Sequence, residues 1–412
     1  MRSRFADIAD HHKLPVDERD QPYPRFVRPS AAALAAHRLR GEIRRRRKGR
    51  RLAYVDSMFP WRRSGFRYHE ALAIHELLPE TLFFSQWELN DPFPAPVHRL
   101  ADFPAIAIGG GVTDAYAVFQ LFLEGLVGLP PLPGQPQEHA WRGLDLTEWR
   151  RMGRIRMHGS IYPGGGLEPT PEGLARTAEV ARRMSSTFSF VPEVIAGVPG
   201  VTPVDAAYTE TSFYAQTSER WEHLRPLVCL FAADASPRKG LDAVLAAFAE
   251  LDPADVHLHV VGPHLDRRAE LPAEIATFHD WMTPDQLRDL HRRAHVFLSP
   301  VRAETATGPV GTYSGVVDGF PTQAAADAVS SGCLLVSANP ARDDRVLESG
   351  VHYLERPPDA GALRATIREI AADPAAARAT AEAGSARWRE RMDVRRGTVR
   401  KLRHMGLLAP DA

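Results

Sequence analysis

The chain has 412 residues, more than one ordinary hydrophobic core organises, so two domains are expected. Its 44% hydrophobic and 25% charged residues are those of a folded, water-soluble protein, and 51 basic against 51 acidic side chains argue against wholesale nucleic-acid binding. The two cysteines, Cys229 and Cys333, both lie in apolar runs; this leaves no disulfide framework or cysteine-based metal site and reads as small core residues.

The first residues contain no apolar signal region, and no run of about eighteen apolar residues follows anywhere. A cytoplasmic protein that does not span a membrane is expected. Residues 1–50, rich in charge and proline, read as an extension and end in Arg44-Arg-Arg-Arg-Lys-Gly-Arg-Arg51. That run suits a solvated helix end. The alternative, given second place, is peripheral contact with the inner face of an anionic membrane, where each basic residue contributes about 1 kcal/mol.

From 51 to 200, strand-like segments at 52–55, 81–85, 105–108, 154–157 and 186–191 alternate with helix-like ones at 68–77, 114–124 and 171–183. Such alternation is the signature of βαβ units on a parallel sheet. Gly197-Val-Pro-Gly-Val-Thr-Pro-Val204 breaks both periodicities and opens an expected linker, 201–225. A second α/β domain is expected over 226–390, with strands at 226–232, 256–261, 275–279, 295–298 and 333–337 and helices at 239–250, 284–293 and 322–331. Thr283-Pro-Asp-Gln286 reads as a capping box with proline at the first helical position. A C-terminal helix is expected over 391–412.

Two turns open at carboxyl ends of strands in the second domain, the edge where ligands bind in open α/β sheets. In the first, the buried run Leu227-Val-Cys-Leu-Phe231 leads into Ala232-Ala-Asp-Ala-Ser-Pro-Arg238-Lys239-Gly240, and two cations beside the free N–H groups of a helix start make a phosphate site. The second is Asp318-Gly-Phe-Pro-Thr-Gln-Ala-Ala-Ala-Asp327, followed by Gly332-Cys-Leu-Leu-Val336.

Taken in order, the strand with Pro-Arg-Lys-Gly, Val260-Val-Gly262, the run from Leu287 through Ala294-His-Val-Phe-Leu-Ser-Pro300, Asp318-Gly-Phe-Pro-Thr322 and the Gly332 strand resemble the second half of retaining, metal-independent GT-B glycosyltransferases of the family 4 type. The resemblance implies two Rossmann-like domains with parallel sheets facing a central cleft. It implies transfer of a sugar from a nucleotide-diphosphate sugar to an acceptor hydroxyl, with retention and no cofactor. Lys239, with Arg238, would grip the donor diphosphate, whose charge grows as the donor bond breaks. Gly319, Phe320, Pro321 and Thr322 would hold the donor sugar, Asp318 would stand beside the reacting carbon, and Asp327 would bind the ribose.

The chain departs from the family at Asp234, where an arginine is usual, and at Asp318 and Asp327, which stand one residue further apart than the family's glutamates. The acceptor half matches in layout alone. Ser64, Gly65 and Arg67 occupy the place of the family's acceptor loop, and His158 the place of a catalytic cleft residue touching the donor sugar, with a structural histidine in a loop as the alternative. Gly109-Gly-Gly111 with Asp114 fits either the cleft or a helix cap. The remaining histidines, His257, His259, His264 and His279 among them, lack paired-ligand spacing, so no metal is assigned. The partners implied are a nucleotide-sugar donor and a sugar, glycolipid or metabolite acceptor. The alternatives are a nucleotide-sugar epimerase, a phosphorylase and a degenerate member that binds without transfer.

Overall fold

The computed structural model describes residues 30–56, 66–85, 93–99, 102–118, 155–161, 171–189, 201–203, 209–302, 320–340 and 344–409, with Val127, Val198 and Arg342. They fall into two compact units, one reaching to Ala206 and taking in the chain again from Arg395, the other formed by residues 207–304 and 317–394.

The first unit opens with helix α1 (Ala31–Lys48), capped by the Ser30 hydroxyl on the Ala33 amide. Then come β1 (Leu52–Asp56), α2 (Phe66–Leu77), β2 (Leu82–Ser85), β3 (Val97–Arg99), α3 (Phe103–Gly110), β4 (Asp114–Val118), β5 (Arg156–Ile161), α4 (Pro171–Arg183), β6 (Ser186–Ser189) and β7 (Val201–Pro203). Its seven strands lie in the order β3-β2-β1-β4-β5-β6-β7, and every pairing is parallel.

Most expected elements of this half are present, and four expectations change. Residues 105–108, expected as a strand, belong to α3, where Phe103 and Ala107 point inward at helical spacing. Residues 114–118, expected as the start of a helix, are β4, a strand buried at every position. Full burial removes the alternation by which a strand is recognised. Residues 201–203, expected in the linker, pair with β6. The supposed extension includes α1, which buries Leu34, His37 and Gly41 and packs on α3.

The basic run is largely structural. Arg44 pairs with Glu80. Arg50 donates to Asp114 Oδ2 at 2.8 Å and to the Met405 carbonyl at 2.7 Å, and Arg51 to the carbonyls of Glu80 and Gly110 at 2.8 and 2.7 Å. Three cations of a run read as a solvated helix end, or alternatively as a membrane contact, are therefore engaged inside the unit.

The second unit contains β8 (Leu227–Ala232), α5 (Leu241–Phe248), β9 (Val256–Val261), β10 (Ala276–His279), α6 (Pro284–Arg293), β11 (Val296–Ser299), α7 (Gln323–Ser330), β12 (Leu334–Ser337), β13 (Leu354–Glu355), α8 (Ala360–Ala372) and α9 (Pro374–Arg391). Its six parallel strands run β10-β9-β8-β11-β12-β13. Phe231, Leu258 and Val260 of the sheet pack with Val244 and Phe248 of α5 and Ile367 of α8. Cys229 and Cys333 are buried and free. The Thr283 hydroxyl accepts from the Gln286 amide while Gln286 reaches back to the Thr283 N–H, so α6 begins on the expected capping box.

The last helix, α10 (Val394–His404), returns the chain to the first unit. Lys401, 2% exposed, is paired with buried Glu70 of α2 and donates to the Tyr116 hydroxyl at 3.1 Å. Tyr116 in turn meets Ser160 Oγ at 2.6 Å. This is a buried charge pair with its remaining valences satisfied, the condition under which such a pair is tolerated.

Candidate active site

The strand order of the second unit is that of a doubly wound sheet. From β8 the chain builds outward to β9 and β10, then crosses to β11 on the other side and continues to β12 and β13. Between β8 and β11 the winding reverses, and the crevice at the carboxyl ends of those strands is the ligand site of such folds.

The turn after β8 lies there. Pro237–Lys239 form one turn of 3₁₀ helix, and Gly240 follows at φ 78° before α5 begins. Glycine is required: a Cβ at Gly240 would stand 2.3 Å from the Pro300 carbonyl oxygen after β11. The Arg302 amide also donates to the Arg238 carbonyl at 2.8 Å. Arg238 and Lys239, both half-buried, are thus carried on a turn fastened to the neighbouring strand end. Asp234 accepts from the Ser236 amide at 2.9 Å, so where the family usually has arginine this chain has a turn-forming acid.

Across β9 the edge is laced in the same way. Gly262, at φ 132°, brings its backbone so close to the Ala233 carbonyl that a Cβ would lie 2.1 Å from it, and His264 Nε2 lies 3.0 Å from the same oxygen. Burial above all lowers His264, against the raising effect of that hydrogen bond. The neutral ring is a donor that fixes the loop.

Helix α7 supplies the other side. It forms the crossover between β11 and β12, so its N-terminus stands at the same carboxyl edge. Its N-cap Thr322 makes no side-chain cap hydrogen bond, and its first turn is the positive end of the helix dipole. Phe320, just before it, lies with its ring 4.8 Å from that of Tyr353. Tyr353 is buried, and its hydroxyl is met by Asn339 Nδ2 at 3.2 Å, Asp344 Oδ1 at 3.3 Å and Glu355 Oε2 at 3.1 Å. Burial raises its pKa, so the phenol stays protonated. This support for Phe320 was missed from sequence, since only the fold brings 320 and 353 together.

Of the residues expected in the site, Arg238, Lys239, Phe320, Pro321 and Thr322 lie at this carboxyl edge or at the start of α7. Asp318, Gly319, Ser64 and Gly65 lie outside the described residues. Arg67 is buried in the first turn of α2.

Two expectations change. Asp327, expected to bind ribose, is 3% exposed in the second turn of α7, where Gln323 Nε2 donates to it at 2.9 Å and the Thr209 and Tyr214 hydroxyls adjoin it. Burial is the largest influence on it and holds its pKa well above the ordinary carboxylate value. It faces the interior of the unit and is an internal tie rather than an open ligand.

His158, expected in a loop at a cleft, is inside β5 and 1% exposed. Its Nε2 is 3.1 Å from Asp114 Oδ1 and its Nδ1 3.1 Å from Ser186 Oγ, so both ring nitrogens are engaged. Asp114 is neither a helix cap nor a cleft residue. Burial alone would raise its carboxyl; hydrogen bonds from His158, Arg50 and Thr113, with the Arg50 charge, outweigh that and hold it below the usual range.

Residues 226–373 match the family described as glycosyl transferases group 1. No sequence match is found among curated proteins. Solved structures share the fold at low identity. Anabaena HepE, solved in complex with UDP and glucose, is 13% identical with a TM-score of 0.62, covering 87% of this chain and 100% of its own. Sucrose-phosphate synthase from Thermosynechococcus elongatus is 15% identical with a TM-score of 0.65, covering 88% and 100%. A glycosyltransferase from Rickettsia africae is 11% identical with a TM-score of 0.58, covering 86% and 97%. The chain therefore has the α/β fold of the GT-B glycosyltransferases, with one doubly wound parallel sheet in each unit, and the match to the group 1 family is confined to residues 226–373.

Proposed function

We propose that the protein transfers a sugar from a nucleoside-diphosphate sugar to an acceptor hydroxyl, with retention at the anomeric carbon and without a metal. The observation that carries this reading is the Arg238-Lys239 turn at the winding reversal of a group 1 domain. The leaving diphosphate gains charge as the glycosidic bond breaks, and a cation held on a rigid turn stabilises that charge without reorganising. Amides of the first turn of α7 add the positive end of the helix dipole. In this reading the departing phosphate itself takes the acceptor proton as the new bond forms on the same face. Phe320, Pro321 and Thr322, with Asp318 and Gly319, hold the donor sugar. The acceptor is a sugar, glycolipid or metabolite.

The likeness to HepE, solved with UDP and with UDP-glucose, makes uridine diphosphate the first ligand to test. The measurement is the melting shift with UDP, GDP, ADP and their sugar conjugates, on wild type and Lys239→Ala, together with turnover. A ligand at a hundred times its Kd adds about 2.7 kcal/mol. A shift with one base, lost together with turnover in the variant, is expected. Full activity of Lys239→Ala would remove the assignment, and binding without turnover across many acceptors would make the chain a nucleotide-sugar binding protein.

A further inference from the structure

Helix α1 presents one face to the first unit and another outward. Leu34, His37 and Gly41 point inward, three or four residues apart, and are buried. On the opposite side Leu39 and Ile43 are 62% and 44% exposed. They stand four residues apart, about 40° around the helix from each other, and the exposed small residues Ala32 and Ala35 lie on the same face. The other exposed large apolar side chains among the described residues, Leu265, Trp281 and Val351, are each separate in sequence from any second one.

The apolar strip has cations on both rims and at its end. Arg38 borders one side, Arg40 and Arg47 the other, and Arg46 follows about one turn beyond Ile43; all four are exposed. The acid on this face is Glu42, which accepts from Arg46 Nε at 3.3 Å, so basic charge dominates. These are not the cations that tie the helix down, since Arg44, Arg50 and Arg51 are engaged within the unit.

We propose that the outward face of α1 docks the protein on an anionic lipid bilayer, with Leu39 and Ile43 entering the headgroup boundary and Arg38, Arg40, Arg46 and Arg47 meeting lipid phosphates. A helix lying in the interface needs an apolar centre and cationic flanks whose long stems reach sideways to the headgroups. A nucleic acid would use the arginines but leave Leu39 and Ile43 without a role. The proposal stands whether or not the chain transfers sugar.

The test is co-sedimentation of the full chain with vesicles of phosphatidylcholine alone or mixed with phosphatidylglycerol, at low and physiological ionic strength. The wild type is expected to pellet with the mixed vesicles, less at higher salt, and not with the neutral ones. Arg40→Gln/Arg46→Gln/Arg47→Gln should weaken the partition roughly a hundredfold. Leu39→Ser/Ile43→Ser, with charge unchanged, should weaken it roughly tenfold. Unchanged melting temperatures in both variants would show that the fold is intact, as expected for exposed positions. Equal sedimentation of wild type and both variants, or none with any vesicle, would overturn the proposal. A wild-type dimer that Leu39→Ser/Ile43→Ser makes monomeric would assign the face to self-association instead.

Discussion

Because burial holds the Asp327 carboxyl well above the ordinary carboxylate value in the native state, against the Gln323 hydrogen bond and the adjoining Thr209 and Tyr214 hydroxyls, this residue makes stability fall as pH rises. The unfolded chain releases the proton near about 3.9, while the folded chain releases it only well above that. Stability is therefore fullest below the unfolded value and declines until the native carboxyl ionises. Asp327→Asn keeps the shape and an acceptor for Gln323 but cannot ionise. Its urea midpoint should match wild type near about pH 4 and exceed it near about pH 7, with the nucleotide-induced melting shift retained. Loss of that shift would return the ribose to Asp327. The sequence pattern marked this acid correctly as lying on α7 but could not show its burial, which depends on Thr209 and Tyr214 more than a hundred residues away. The turn that carries Lys239 was legible for the opposite reason. It is encoded by that residue's own neighbours, Pro237 and Gly240.

At the scale of elements, the edge of the second sheet carries a histidine ladder. His257 and His259 lie on β9 and His279 on β10, with His259 Nδ1 3.0 Å from His279 Nε2. Burial, then the positive potential of His257, His279 and Arg293, pushes His259 down from 6.5 to about 4. A histidine kept neutral this way costs stability as the unfolded chain takes up protons, so the loss begins as pH falls through 6.5 and is complete near about 4. The urea midpoint of His259→Gln should fall less steeply than that of wild type across this window; parallel curves would show that His259 titrates normally. Elements with a polar face were readable in advance. Helix α6 has its capping box, and α4 spans the 171–183 expected of it. The exchange of strand and helix at 105–118 arose where that contrast vanishes, since β4 is buried on both faces and its apolar run carries no period.

For the molecule as a whole, the two parallel sheets were legible from the alternation of segments, whereas the return of the chain to its first unit was not. No local signal says that the basic helix α10 buries a lysine against Glu70, because the acid that accepts it is 331 positions earlier. Burial lowers the Lys401 pKa while Glu70 raises it, and the pair endures because Tyr54 and Tyr116 complete the hydrogen bonding of the carboxylate. Lys401→Met should cost about 3–5 kcal/mol by stranding that acid. Adding Glu70→Gln, which keeps an acceptor for both tyrosines, should recover much of the loss. An equal loss in the single and double variants, read from urea denaturation, would show that the charge pair is not what holds α10.

The return of α10 also sets a timetable. A ribosome adding about 5–20 residues per second needs some tens of seconds to pass from Glu70 to Lys401, and throughout that interval the nascent first unit holds an acid without its counter-charge. The usual order of synthesis, in which the N-terminal domain is finished first, is inverted here: the unit that is begun earliest is completed last. A chain interrupted anywhere before Val394 would leave not a shortened protein but one whose oldest part never closes.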